Sequence, residues 1–474
     1  MAQMIPLEDY VARVLEAIVP LASTRVALGE AHGRILAEDV SAVVPVPPWT
    51  NSAMDGYAVR AAETSGASAQ APVVLPVAGD VPAGAAPTPL APGSAQRIMT
   101  GAMLPEGADA VVKVEDTDQA PGPHPLPERV EIHAAAREGL NVRRAGENVR
   151  AGDPVMAAGT RLSAAAVSAL ASVGLGSVPV AARARVAVVS TGAELRDAGE
   201  SLAPGTIPDS NGLLLAGLVT EHGADYVSVA RSGDSAEELA AVLRRAAAGA
   251  DLIVTSGGVS AGAFDPLTML AHADQHEGAP VHLDFVKVAM QPGKPQGHGW
   301  VRADDGRRVP IICLPGNPVS VLVSFTTIVA PALARLADVD SCLPDLPGRP
   351  TLTARAAAAW LTPPGRRQHV PVRFTEPPTE LVAGSVAGSV AGADAGDRIG
   401  APSGPDAAPD TGASWVTPTH RLGSGSHLVA SLPAAQALAV VAAEVESVEV
   451  GDELPLIPLT GSCPSGRPVR VDAP

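Results

Sequence analysis

Between residues 183 and 337 the chain alternates short apolar runs with segments of helical length, and this alternation limits its fold more than any other feature. The apolar runs are RVAVVST, DLIVTSGG and VPIICLPGNP, and a loop containing glycine follows each of them. Strands that alternate with helices form βαβ units, in which helices cover both faces of a parallel sheet. We therefore predict an α/β domain over 183–337, with helices over 211–222, 235–248 and 319–330.

Two other regions are predicted to be β-rich. Residues 49–145 hold short valine-rich runs that proline and glycine interrupt, which is typical of a small all-β domain. Similar runs return over 345–460 and predict a C-terminal β domain. Inside it, residues 383–413 repeat Ala-Gly-Ser-Val and otherwise consist mostly of Gly, Ala, Asp and Pro. Such a segment buries too little apolar surface to order itself, so we expect a disordered insertion in a loop.

Helical segments are predicted near the N-terminus and before the α/β domain. Residues 7–19 place apolar side chains at helical spacing, and a second short helix is expected near 28–36. Residues 146–182 predict a strand–turn pair followed by an alanine-rich helix.

Charge and cysteine usage exclude several classes of protein. The 33 Lys and Arg against 50 Asp and Glu give a net charge of −17, which argues against a dedicated nucleic-acid or anionic-membrane binder. The three cysteines are far apart and form no CxxC, so neither a structural zinc site nor a disulfide framework is indicated. The first residues do not resemble a signal peptide, and the apolar stretch 319–334 is short for a membrane span. We therefore expect a soluble, cytoplasmic protein.

The candidate functional residues lie in the loops where strands of the α/β domain lead into helices, which is where ligands bind to open parallel sheets. Glycines let backbone N–H groups approach an anion, hydroxyls donate to its oxygens, and lysines add positive charge. Carboxylates in the same loops are suited to a hard divalent cation shared with a diphosphate. The loops contain Thr191, Gly192 and Glu194; Asp234; Ser256, Gly257, Gly258, Ser260 and Asp265; Lys287, Pro292, Gly293 and Lys294; and Gly316, Asn317 and Ser320.

Taken singly, these loops have simpler explanations. Each could be an ordinary turn that contains glycine, and Asp265 could cap the helix that follows it. The sequence holds neither GxGxxG nor GxxxxGK[ST], so neither a dinucleotide-binding fold nor a P-loop is indicated.

Seven motifs in order carry a more specific signal. They are NSAMDGYAV (51–59), RIMTGAMLPEGADAVV (97–112), STGAEL (190–195), TIPDSN (206–211), TSGGVSAGAFD (255–265), PGKP (292–295) and LPGNPVS (314–320). Together they closely resemble the molybdopterin molybdenumtransferases, the MoeA and gephyrin E-domain family. The resemblance covers nearly the whole chain apart from 383–413.

The resemblance implies an elongated, multidomain homodimer of the α/β plus β class. It has a discontinuous N-terminal helical and linking domain over 1–48 and 146–182, an all-β domain over 49–145, a parallel-sheet molybdopterin-binding domain over 183–337 and a C-terminal β-barrel-like domain over 345–460. The implied reaction joins molybdate to adenylylated molybdopterin, releases AMP and uses a divalent metal such as Mg²⁺.

The resemblance also implies roles for individual residues. Asp55 and Thr100 match functional positions that face the α/β domain of the partner subunit. Glu194, Asp265, Lys287 and Lys294 match catalytic positions, with Asp234, Asp265 and Glu194 as metal ligands. The remaining loop residues, Ser320 among them, match substrate contacts. In the last domain, Arg366 or Arg367 and Ser424 or Ser426 resemble positions near molybdate, and Arg367 is the arginine we assign to it.

Two departures from the family pattern keep other functions open. Gln291 stands where many members carry lysine, and Asn148 stands where aspartate is usual. The loss of a positive charge at Gln291 could weaken molybdate capture, or an arginine elsewhere could replace it. A protein that binds molybdopterin without turnover is therefore one alternative. A molybdopterin adenylyltransferase is another, although the all-β domain argues against it. The sequence does not distinguish molybdate from tungstate.

Overall fold

The computed structural model of the chain describes residues 4–233, 235–259, 265–273, 279–339, 349–378, 414–420, 425 and 427–459. Asp234, Ser260, Ser424, Ser426 and the predicted insertion 383–413 lie outside the described residues. The chain divides into two compact units, one formed by Met1–Ser23 with Ala181–Pro474 and the other by Thr24–Val180. The α-helices of the described residues are α1 (Leu7–Glu16), α2 (Ala164–Ser172), α3 (Asn211–Glu221), α4 (Ala236–Gly249), α5 (Pro266–Ala273), α6 (Pro318–Ser324) and α7 (Ala330–Leu336).

The Thr24–Val180 unit is built mainly from short strands. A five-stranded sheet has the order β7-β4-β6-β5-β8, and three two-stranded pairings are β1–β11, β2–β10 and β3–β9. Residues 49–145 contain strands and 3₁₀ turns but no α-helix, as the valine-rich runs predict. The strands are β1 (Thr24–Ala27), β2 (Val40–Ser41), β3 (Asn51–Ser52), β4 (Gly56–Val59), β5 (Val73–Val81), β6 (Ala95–Ile98), β7 (Ala110–Lys113), β8 (Arg129–Ile132), β9 (Val142–Arg143), β10 (Pro154–Met156) and β11 (Ser177–Val180).

The helix predicted near residues 28–36 is wrong. Only Leu28–Glu30 form a 3₁₀ turn, because the backbone groups that follow bond to another segment. The N–H of Gly33 donates to the carbonyl of Leu162, and that of Leu36 donates to Thr160. Gly33 has φ +76°, a left-handed conformation that ends helical geometry.

The α/β domain has one six-stranded sheet of order β15-β12-β16-β20-β19-β17. The first four strands are parallel, as predicted, but β19 runs antiparallel to both β20 and β17, so the sheet is mixed. The difference arises because residues 281–302 form a β-hairpin on the edge of the sheet instead of a βαβ crossover. The strands of this unit are β12 (Arg185–Thr191), β13 (Leu195–Arg196), β14 (Ile207–Pro208), β15 (Asp225–Ser232), β16 (Leu252–Ser256), β17 (Val281–Lys287), β18 (Met290–Gln291), β19 (Pro295–Arg302), β20 (Arg308–Leu314), β21 (Leu352–Ala356), β22 (Trp360–Leu361), β23 (Arg367–Thr375), β24 (Trp415–Pro418), β25 (Ala437–Val441), β26 (Ser447–Val448) and β27 (Glu453–Pro458).

Helices cover both faces of this sheet, as the alternating pattern predicts. Alternate side chains of the central strands enter two separate apolar cores. Val188 and Val254 pack with α1, α3, α6 and α7, whereas Val189 and Ile253 pack with α4 and α5. The helical segment Pro318–Leu336 is the one described segment long and apolar enough to cross a membrane, and it is 94% buried. It is therefore a core helix of this domain.

Helix α1 packs on the α/β domain. Tyr10 and Val14 are buried in the same core as the sheet, and the N–H of Leu21 donates to the carbonyl of Leu336 at 2.8 Å. The segment before Thr24 thus groups with the later unit, whereas the predicted boundary kept it with the rest of 1–48.

The C-terminal region contains a closed barrel. The strands pair in the order β23-β24-β21-β27-β25, and β25 pairs back to β23. Val370, Val372, Val416 and Leu456 fill its interior. Strand β18 of the α/β domain adds to β23 in parallel, which attaches the barrel to the end of the 281–302 hairpin.

Candidate active site

The loops after β12, β16 and β20 meet at one edge of the sheet. The N–H of Gly257 donates to the carbonyl of Leu314 at 3.0 Å, and Thr191 Oγ1 donates to the carbonyl of Ser256 at 3.3 Å. Because these strands are parallel neighbours, their carboxyl ends bring the three predicted loops together.

Two glycines in the second loop are required by close packing. Gly257 and Gly258 have φ +87° and +71°, where a side chain is strained. A Cβ on Gly258 would lie 2.8 Å from Thr191 Oγ1 and 3.1 Å from Asp265 Oδ1. The Asp265 carboxylate therefore lies against Gly258, directly before α5.

The carboxylate of Glu194 closes over the first loop. Gly192 has φ +144°, and a Cβ there would lie 2.5 Å from Glu194 Oε2. Glu194 is exposed, while Thr191 beneath it is buried. Glu194 thus lies against Gly192 and Asp265 against Gly258, and both glycines adjoin Thr191.

The third loop leads into the long core helix. Asn317 precedes α6, Pro318 occupies the first turn, and Ser320 is buried in that turn. The carbonyl of Gly316 accepts a hydrogen bond of 2.7 Å from Asn211 Nδ2. Sequence reasoning placed Asn211 only at the start of a helix; its place at the end of the TIPDSN motif was the signal for a role beside the LPGNP loop.

The turn that carries the lysines lies at the same edge. Gly297 of β19 pairs with Cys313 near the end of β20, so the residues before β19 stand beside the LPGNP loop. Lys287 and Lys294 flank this turn and are exposed. Lys287 ends β17 and pairs with Pro295. The structure therefore places two cations at the edge of the sheet that carries the glycine loops, on the side of the LPGNP loop.

A buried glutamine that the sequence did not reveal holds this turn. Gln296 is fully buried, and its Nε2 donates to the carbonyl of Gly293 and to Ser324 Oγ, both at 2.7 Å. A Cβ on Gly293 would lie 3.0 Å from the same Ser324 Oγ. Pro292 is buried beside it. A glutamine within PGKPQG carries no local pattern that distinguishes it from a surface residue.

The two arginines of GRRQ have different partners. Arg366 Nη1 donates to Gln291 Oε1 at 2.6 Å, directly before the PGKP turn. Arg367, the arginine that the sequence analysis assigned to molybdate, forms an ion pair with Glu8 of α1. Burial opposes ionisation of Glu8, but hydrogen bonds from its own backbone and from Arg367 hold the pKa of that carboxyl below its usual value.

Asp55 and Thr100 lie together in the other compact unit. Asp55 Oδ1 accepts hydrogen bonds from the N–H of Thr100 at 2.6 Å and from its Oγ1 at 2.8 Å. Both residues are exposed. Strands β4 and β6, which adjoin them, pair in antiparallel, and this brings MDGY and MTG to one point.

The structure describes two of the three predicted metal ligands, Glu194 and Asp265. Within the described residues no group of three His, Cys, Asp or Glu is placed to hold a metal ion, and Asp234, the third predicted ligand, is outside that part of the chain. Cys313 is fully buried, and burial raises the pKa of its thiol to about 12. It is therefore protonated at neutral pH and unsuited to nucleophilic chemistry.

An apolar cavity of about 420 Å³ lies between the α/β domain and the barrel. Its lining includes Leu214, Leu322 and Leu432 and no Lys or Arg among the described residues. This composition does not suit an oxyanion, so the cavity is distinct from the candidate site.

Comparisons with known proteins agree with this architecture. Residues 5–174 match the family model described as MoeA N-terminal region (domain I and II), and 187–335 match the one described as probable molybdopterin binding domain. The chain is 45% identical to molybdopterin molybdenumtransferase 2 of Mycobacterium tuberculosis over 362 residues, which is 76% of this chain and 85% of that protein. It is 31% identical to the molybdopterin molybdenumtransferase of Staphylococcus epidermidis, over 72% of this chain and 78% of that one.

A solved structure has the same fold. The molybdopterin biosynthesis MoeA protein of Pyrococcus horikoshii is similar with a TM-score of 0.72 and 29% identity, covering 96% of this chain and 99% of that one. The match to the N-terminal MoeA region also separates this chain from a protein made of the α/β domain alone. The chain belongs to the molybdopterin molybdenumtransferase family, whose members include MoeA and the gephyrin E-domain.

Proposed function

We propose that this protein is a transferase of molybdenum cofactor biosynthesis, which joins molybdate to adenylylated molybdopterin and releases AMP. The observation that supports this most directly is the packing of Gly258 against both Thr191 and Asp265. It gives a loop cluster with backbone N–H groups, hydroxyls and a carboxylate at one edge of the sheet, which suits a phosphorylated substrate.

The cationic turn beside this cluster is our proposed oxyanion site. Lys294 and Lys287 are exposed there, and Arg366 reaches Gln291 immediately before the turn. Donors held in place before the reaction favour an oxyanion over water, because no reorganisation is needed when it binds. Ser320 would add a hydroxyl from the first turn of α6. Arg366, not Arg367, is the arginine that we assign to molybdate.

The carboxylates fit a divalent cation. Mg²⁺ is usually held by one or two carboxylates together with substrate phosphates and water, and Glu194 and Asp265 lie against two glycines that both adjoin Thr191. Asp234 is a third proposed ligand. When bound, Mg²⁺ would polarise the diphosphate of the adenylylated substrate. The carboxylates of Glu194 and Asp265 would supply the negative charge that holds the ion.

We propose a homodimer in which Asp55 and Thr100 of the partner subunit complete each site. The support is the family resemblance and the direct bond between these two exposed residues. Mixed dimers of an Asp55→Ala chain and an Asp265→Ala chain should regain part of the activity that both parents lack, because one of their two sites is intact. Verified mixed dimers without activity would contradict this arrangement.

The alternative of a binding protein without turnover rests on Gln291 and Asn148. It predicts capture of adenylylated molybdopterin with no AMP release when molybdate is added, whereas the enzyme releases AMP. We further propose that the protein acts in the cytoplasm, where the free thiol of Cys313 stays reduced.

A further inference from the structure

Gln291 and Arg366 are held together by backbone pairing as well as by their side chains. Strand β18 runs parallel to β23, with Met290 opposite Arg367 and Gln291 opposite Gln368. The N–H of Arg367 donates to the carbonyl of Ala289 at 3.0 Å. Arg366 therefore begins from a fixed backbone position, and its guanidinium ends at Gln291 Oε1, 2.6 Å away.

The chemistry of the two groups sets the orientation of the amide. A guanidinium only donates hydrogen bonds, so the oxygen of Gln291 must face Arg366 and the NH₂ group must point away. Within the described part of the chain, this NH₂ group makes no hydrogen bond to a protein acceptor. The residues after it form the turn that Gln296 holds rigid and that carries Lys294.

We propose that Gln291 orients Arg366 and determines oxyanion affinity at this turn. Its carbonyl oxygen fixes the guanidinium, and its NH₂ group donates to a tetrahedral oxyanion that Arg366 and Lys294 neutralise. Where many family members carry a lysine, this chain thus has a neutral donor, Gln291, that is hydrogen-bonded to Arg366. This inference rests on the proposed function only for the identity of the anion as molybdate.

The competing explanation is that the bond merely joins β18 to the barrel. Gln291→Met separates the two explanations, because methionine is neutral and of similar length and loses both the acceptor for Arg366 and the NH₂ donor. If the bond is only structural, Gln291→Met should melt below the wild-type temperature and bind anion unchanged. If Gln291 contacts the anion and orients Arg366, affinity should fall at least tenfold.

The test titrates sodium molybdate, and separately sodium tungstate, into the full-length protein by calorimetry without pterin. Arg373→Gln is the control, since Arg373 is an exposed arginine on β23, the strand that Arg366 precedes, and its loss should leave affinity within twofold. Equal affinity in wild-type and Gln291→Met protein, or no anion binding by the wild type, would overturn the inference. AMP release is measured in parallel. Normal AMP release by the wild type with unchanged anion affinity of Gln291→Met refutes this inference alone, whereas absence of release from the wild type refutes the proposed function.

Discussion

The Asp55 carboxylate accepts both the backbone N–H and the hydroxyl of Thr100, so one oxygen holds two donors from a loop 45 residues away in sequence. The pair lies in the Thr24–Val180 unit, where neither residue is buried. A turn aspartate with two hydrogen bonds of this kind has its side chain fixed before any substrate arrives.

We predict that Thr100→Val and Thr100→Ser differ in activity more than in stability. Valine loses the hydroxyl that donates to Asp55 but keeps the backbone N–H bond, so the exposed site should lose only about 1 kcal/mol of unfolding free energy. Serine keeps both donors and should retain activity, whereas valine should lose at least tenfold. Equal turnover of the two variants in an AMP-release assay would show that the hydroxyl is dispensable.

Asp265→Asn separates metal binding from helix capping. As a cap, asparagine replaces aspartate well, whereas as a ligand for a hard cation it lacks the charge. We expect the variant to fold normally and to lose most molybdate-dependent AMP release, with partial recovery at raised Mg²⁺. Leu267→Met, at a buried neighbour in α5, controls for disturbance of that helix. Near-normal turnover would show that Asp265 only caps the helix and does not bind the metal.

The buried amide of Gln296 should stabilise the fold and also hold the turn that carries Lys294. Gln296→Leu leaves the carbonyl of Gly293 and the hydroxyl of Ser324 without this donor, which should cost about 1–3 kcal/mol of unfolding free energy. Ser324→Ala removes one of the two bonds and should cost less. Chemical denaturation measures both, and molybdate titration of Gln296→Leu should show weaker binding. Wild-type stability of Gln296→Leu would show that these two hydrogen bonds do not stabilise the protein.

His369 should make stability depend on pH. It is buried on β23, and burial, assisted by the charge of Arg367, lowers its pKa from 6.5 to about 4. Between those values the unfolded chain binds a proton that the folded chain rejects, so stability falls as pH falls through this window. One pKa unit corresponds to about 1.4 kcal/mol, so the loss from pH 6.5 to pH 5 is about 2 kcal/mol.

The measurement compares wild type with His369→Gln by urea denaturation at both pH values. The variant lacks the titrating imidazole, so its loss of stability should be smaller by about 2 kcal/mol. The same pH dependence in both proteins would show that His369 does not carry the effect.

The parts of the fold that local patterns encode were predicted from the sequence. The alternation of strands and helices gave the α/β domain, and the glycine loops at the strand ends do meet at one edge through contacts such as Gly257 with Leu314. The antiparallel hairpin on the edge of the sheet was missed, since an apolar strand does not show the direction of its neighbour.

Contacts between residues far apart in the sequence could not be predicted from local patterns either. The sequence did not show that Arg366 would face Gln291 while Arg367 faced Glu8, because Arg366 precedes β23, Arg367 begins it, and the partners of both come from distant parts of the chain. Gln296 was missed for a similar reason, since its partners come from a turn and from the end of α6.

The proposed transferase reaction is tested by measuring AMP released from adenylylated molybdopterin by the purified full-length protein, using chromatography with and without molybdate. We expect Mg²⁺-dependent AMP release that requires molybdate and is lost in Asp265→Asn. Tight binding of the adenylylated substrate with no AMP formed on addition of molybdate would contradict it and would identify the protein as a carrier.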